Sequence, residues 1–202
     1  MTEEGEHREP AVLVRPEDFG YTLVDHADAL AAALDAAGVT GAELVGHSMG
    51  GSVAIVLARR RPDLVSRLVL TEADLDACPP VTAGSSGIAG YEEDDFVDGG
   101  HARVLERVGP LWAATMRLAD PRALHRSAVG LRKGTDPVMR TVLEGLTIER
   151  VYVQGERSGE LQGREGLEAA GVRVVTAAGA GHNVMFDNPD AFVAAVAGSG
   201  GD

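Results

Sequence analysis

Leu23, Ala27, Leu30 and Leu34 recur at intervals of three and four residues, the spacing that lines one face of an α-helix. The helix expected over residues 22–37 opens with Thr22 and Asp25 in capping-box arrangement and closes at Gly38. Short apolar runs alternate with helical stretches along the rest of the chain. Strands are expected at 43–47, 65–71, 148–154 and 172–177, with 11–14 as a further short candidate. Helices are expected at 52–61, stopped by Pro62, at 163–170, and at 189–197, where Asn188 caps and Pro189 suits the first turn. Between the strands at 65–71 and 148–154 no strand run occurs, and helical candidates fall at about 100–108, 110–119, 121–132 and 136–145. Strands alternating with helices predict an α/β fold with a mostly parallel sheet flanked by helices on both faces. The chain then divides into a core of residues 1–78 and 148–202 and a helical cap of residues 79–147 over the strands' carboxyl ends. Open sheets of this kind bind ligands at that edge.

One junction in this pattern carries chemistry. Gly46-His47-Ser48-Met49-Gly50-Gly51 stands between a strand and a helix, and G-x-S-x-G in that context is a nucleophile elbow. The turn is tight enough to demand small neighbours. Gly46 and Gly50 are expected to provide that space, and Gly51 to let the helix start close to the strand. A serine hydroxyl is a poor nucleophile until a base accepts its proton. The expected base is His182, carried past the last strand by the loop Gly179-Ala180-Gly181. The other histidines fit less well: His7 is in a tail, His26 on the first helix, and His101 and His125 in the cap. His47, beside the serine, is expected to support the elbow structurally.

Composition narrows the function classes. Thirty-one acidic residues against 18 lysines and arginines give a net charge of −13, which repels nucleic acid and anionic membrane, so neither partner is expected. Cys78 is the single cysteine, so no disulfide forms within the chain. The acidic start is not followed by an apolar run of signal-peptide length, and no stretch reaches the roughly 20 apolar residues of a membrane helix. The expectation is a cytoplasmic enzyme with loose tails at 1–10 and 198–202. No His/Cys/Asp cluster suggests a metal, and no cofactor is expected.

The two motifs, their order and the helical insertion resemble the α/β-hydrolase family, in its capped, esterase-like branch, over roughly residues 22–197. The resemblance implies that Ser48 attacks an ester or similar acyl bond of a small molecule, through a covalent acyl-enzyme, with the Met49 N–H as one half of the oxyanion hole. In the commoner family pattern the triad acid follows the strand before the last, where Ser158 stands here in Gly155-Glu156-Arg157-Ser158. Other branches place the acid one strand earlier, which falls on Glu72; Asp74, Glu156 and Glu160 are alternatives. Glu72 also has a plainer reading, as a strand-end carboxylate capping the next turn. The family's His-Gly loop, source of the second oxyanion donor, has no counterpart in residues 1–41, and of its early strands only 11–14 offers a counterpart. The resemblance thus implies an N-terminally shortened sheet with an open edge, through which copies of the chain can associate. It also leaves a second reading open, a hydrolase-fold binding protein without an assembled site. Trp112, Met116 and Leu118 are candidate pocket walls, with ordinary helix packing the preferred reading.

Overall fold

The computed structural model describes residues 19–76 and 87–198. The strand candidate at 11–14, the tails at 1–10 and 199–202, and Cys78 lie outside them. Helix α1 spans Leu23–Ala36, and its capping box is closed: Thr22 Oγ1 accepts from the Asp25 N–H at 3.1 Å and the Asp25 carboxylate accepts from the Thr22 N–H at 2.9 Å. Strand β1 (Ala42–His47) runs through Ser48 into α2 (Met49–Arg60), and β2 (Val65–Thr71) follows. Helix α2 begins earlier than the pattern predicts, because the elbow itself forms the first turn. The Ser48 carbonyl accepts from the N–H groups of Gly51 and Ser52 at 2.9 and 3.3 Å. Two adjacent glycines argue against helix on propensity, and packing overrides it.

The described residues from 87 to β3 are mostly helical. The α-helices are α3 (Glu93–Asp95), continued through a π-turn at Phe96–Gly100 into α4 (His101–Arg107), then α5 (Gly109–Met116), α6 (Pro121–Lys133) and α7 (Met139–Gly145). Ile88, Ala89, Phe96, Val104 and Ala128 give this segment a small core of its own. The chain ends with β3 (Glu149–Gly155), α8 (Arg164–Ala169), β4 (Arg173–Ala177), α9 (Val184–Asp187) and α10 (Pro189–Val196). Asn188 caps α10 as expected, accepting from the Ala191 N–H at 3.0 Å. The pattern missed α3 and α9, since three or four residues are too few to show a helical period.

The four strands are all parallel, in the order β1-β2-β3-β4. Alternation along the strands divides the core. Leu68, Leu70 and Tyr152 pack with α1, α2, α7 and α8, while Val69, Val151 and Val153 pack on the other face with Val184 and Ala195. Strands buried on both faces read as continuous apolar runs, which is why β2 and β3 were legible. β1 and β4 are the edge strands of the described sheet.

Two buried guanidinium groups join helices to this sheet. Arg67 on β2 bonds Glu149 at 2.8 Å and the carbonyls of Ala195 and Val196 at 3.0 and 2.6 Å, in the last turn of α10. Arg150 on β3 bonds the carbonyls of Leu143, Glu144 and Ala170 at 2.9, 3.1 and 2.9 Å, at the ends of α7 and α8. Each satisfies carbonyls that a helix terminus leaves unpaired. No helix among the described residues is long and apolar enough to cross a membrane.

Candidate active site

Ser48 sits between β1 and α2 with φ of 50° and ψ of −126°, a conformation that costs a non-glycine residue about 1–3 kcal/mol. Neighbouring contacts hold it there. The Ser48 N–H donates to the Thr71 carbonyl at 2.9 Å. A Cβ on Gly46 would meet Gly51 Cα at 2.6 Å, and one on Gly51 would meet Ala73 Cβ at 2.6 Å. Gly50 differs from expectation: a Cβ there meets nothing within 4 Å, because Gly50 faces the cavity in front of the serine and takes no part in the close approach. Gly46→Ala is therefore expected to cost about 1–3 kcal/mol in urea denaturation, and Gly50→Ala close to nothing.

His182 rides on the loop between β4 and α9. β3 abuts that loop so closely that a Cβ on Gly155 would collide with the carbonyls of Ala180 and Gly181. Two carboxylates shape the loop: Glu156 accepts from the Gly179 N–H and Asp187 from the Gly181 N–H, each at 2.8 Å. His47 ties it to the elbow. Its Nε2 lies 2.8 Å from the His182 carbonyl oxygen, and since a carbonyl only accepts, that nitrogen carries a proton. Burial lowers the His47 pKa, which favours the neutral ring. His47→Ala is expected to lower kcat by up to about 10²-fold by letting the His182 loop drift, with partial recovery in His47→Gln, measured on a p-nitrophenyl ester.

Glu72 follows β2 directly and also has positive φ, 51°. Its N–H donates to the Val153 carbonyl at 3.0 Å, which turns the side chain toward β3. Oε1 accepts from the Gly155 N–H at 2.6 Å, and Oε2 lies 3.5 Å from His182 Nδ1. Burial works to raise the Glu72 carboxyl, but hydrogen bonds from His182, the Gly155 N–H and Ser158 outweigh it and hold the group below its ordinary value. Of the other carboxylates considered, Glu156 is turned to Gly179, and Asp74 and Glu160 line, together with Glu72 and His182, a second cavity that also includes Arg140 and Gln154. Ser158 lines that same cavity, so the residue in the commoner acid position supports Glu72. Its part had no sequence signal beyond its position.

A cavity of about 500 Å³ opens in front of Ser48. Met49 and His182 share its sheet-side wall with the serine, while Trp112, Met116, Leu124 and Leu131 form an apolar wall opposite. Trp112 and Met116 line the cavity, the less favoured of their two expected roles. Leu118 does not: it is 84% exposed, because α5 stops at Met116 and the chain then turns outward. Met49 is the first residue of α2, so its N–H is one of the donors a helix cannot pair within its own ladder, at the positive end of the helix dipole. Among the described residues no group of three or more His, Cys, Asp or Glu side chains converges as metal ligands would.

The profile of the family described as alpha/beta hydrolase fold matches residues 6–92. The chain is 39% identical over 118 residues to a 2-hydroxymuconate semialdehyde hydrolase of Pseudomonas sp. (strain CF600), a match covering 57% of this chain and 34% of that protein. It thus spans about a third of the relative's length. Among solved structures, an E-2-(acetamidomethylene)succinate hydrolase superposes with a TM-score of 0.66 at 24% identity, covering 93% of this chain and 76% of the other. A thermophilic esterase from Thermogutta terrifontis gives 0.65 at 21% identity, covering 88% and 71%. At these identities the structural likeness is one of fold.

Proposed function

On the premise that the chain belongs to the α/β-hydrolase fold family, we propose that it is a serine hydrolase of ester or similar acyl bonds, with Ser48 as nucleophile, His182 as base and Glu72 as the triad acid. One observation carries the reading. Among the described residues three non-glycine residues have positive φ, and two of them are Ser48 and Glu72, at the carboxyl ends of adjacent strands, with the Glu72 carboxylate 3.5 Å from His182 Nδ1. Strain of this kind persists where the surrounding structure over-determines it, and it gathers at functional sites. Here it aims one hydroxyl into a cavity and one carboxylate at an imidazole.

In this reading Ser48 Oγ attacks the acyl carbon while His182 Nε2 takes its proton. The Met49 N–H donates to the oxyanion of the tetrahedral intermediate. Collapse passes the proton to the departing alcohol and leaves an acyl-serine. His182 then deprotonates water, which attacks the acyl carbon and releases the acid. Glu72 accepts from His182 Nδ1–H throughout, fixing the tautomer and stabilising the imidazolium. The apolar far wall suits a hydrophobic acyl or alcohol part. Similarity to a semialdehyde hydrolase and to an esterase supports hydrolysis without selecting a substrate.

The test is intact mass after treatment with a fluorophosphonate, with Ser48→Ala beside the wild type and circular dichroism on both. The expected result is a single adduct on the wild type and none on the variant. A folded wild-type chain that takes no adduct would support the non-catalytic binding reading instead.

A further inference from the structure

Ser127 lies on α6 and is among the residues that line the same cavity as Ser48. It is 9% exposed. A hydroxyl set into an apolar wall costs free energy unless it is paired. The partner is His26 on α1, whose Nε2 lies 3.0 Å from Ser127 Oγ. Behind it the His26 ring is packed edge-on by Phe19 and Tyr21, at centroid distances of 5.3 and 6.0 Å. One bond to His26 leaves Ser127 with capacity unspent. If His26 donates, the hydroxyl proton is free for the cavity; if His26 accepts, the oxygen lone pairs are. No lysine or arginine is among the described residues lining the cavity, so a charged carboxylate placed there would have no counter-charge.

Resting on the hydrolase reading, we infer that Ser127, held by His26, is a binding residue for an uncharged oxygen in the substrate, a keto or hydroxyl group on the apolar part remote from the scissile carbonyl. The substrate class is then a neutral oxygenated acyl ester, and neither a plain fatty ester nor a dicarboxylate.

The experiment compares p-nitrophenyl octanoate with its 4- to 7-oxo and 6- and 7-hydroxy derivatives and with the mono-p-nitrophenyl ester of octanedioic acid. At one chain position the oxygenated ester is expected to exceed octanoate in kcat/KM by about threefold to tenfold, the yield of one net hydrogen bond. Ser127→Ala removes that ratio and Ser127→Thr keeps it. No preference at any position in the wild type, a ratio that survives Ser127→Ala, or a preference for the carboxylate would each overturn the inference. If no ester shows Ser48-dependent turnover, the hydrolase reading fails by itself. The subsite is then decided by titration calorimetry of the corresponding methyl esters against Ser48→Ala protein. An oxygen advantage that Ser127→Ala abolishes in that background supports the inference, and its absence overturns it.

Discussion

His182→Ala is expected to lower kcat for a short p-nitrophenyl ester by about 10⁶-fold while the chain stays folded. The two halves of this expectation have separate origins. The His182 side chain is 42% exposed, and the loop is held by its backbone, through the His47 bond to the His182 carbonyl and the Asp187 bond to Gly181. Truncation therefore leaves those ties in place. Catalysis loses the imidazole proposed to take the serine proton and return it, while the other cavity imidazole, His47, stays tied to the His182 carbonyl. Because nucleophile and base act as a unit, the double variant Ser48→Ala/His182→Ala is expected to fall no further than either single variant. The measurement is kcat for the three variants with circular dichroism on each. Activity within tenfold of wild type in His182→Ala would remove histidine from the mechanism.

Glu72→Gln is expected to lower kcat by about 10⁴-fold. The amide oxygen can still accept from the Gly155 N–H, so the side chain stays in place. The amide nitrogen, however, can only donate toward His182 Nδ1. That selects the tautomer with Nε2 protonated, which cannot take the serine proton. Near-wild-type activity in Glu72→Gln, with loss in Asp74→Asn, would move the role to Asp74. Ser158 offers a second check, because it lines the same cavity as Glu72 from the commoner acid position. Adding Ser158→Asp to Glu72→Gln is expected to recover at least about tenfold by bringing a carboxylate back within reach of the imidazole. The same group sets a pH dependence of stability. The Glu72 carboxyl is held below its unfolded value, so its stabilisation is present above the ordinary carboxylate pKa of about 4.3 and is lost as pH falls through the folded value. Urea denaturation across that window should show this acid limb in the wild type and lack it in Glu72→Gln.

Local pattern and turn chemistry carried much of the architecture. The capping box of α1, the apolar strands β2 and β3, and the Asn188-Pro189 start of α10 each depend on neighbours within a few residues, so a linear reading reaches them. The same holds for the Gly46–Gly51 elbow and the glycine loop before His182. Contacts between distant segments were beyond that reading. Arg67 and Arg150 look like surface charges in strand sequence, yet they close helix ends 128 and 20 residues away. Leu118 looks like a wall and is solvent-facing, and Gly50 looks like a packing glycine and is a cavity residue. Ser127 and His26 are separated by 101 positions and share no motif.

The sequence by itself determined the parallel α/β frame and the placing of a serine and a histidine at its carboxyl edge, because strand burial, helix caps and glycine turns are local properties. Which carboxylate faces that histidine was decided only in the tertiary structure. Glu72 and Asp74 differ by two positions at the same strand end, and the choice between them came from one backbone turn, fixed by the Glu72 N–H on Val153 and the Gly155 N–H on the carboxylate, both supplied by a strand some 80 residues away.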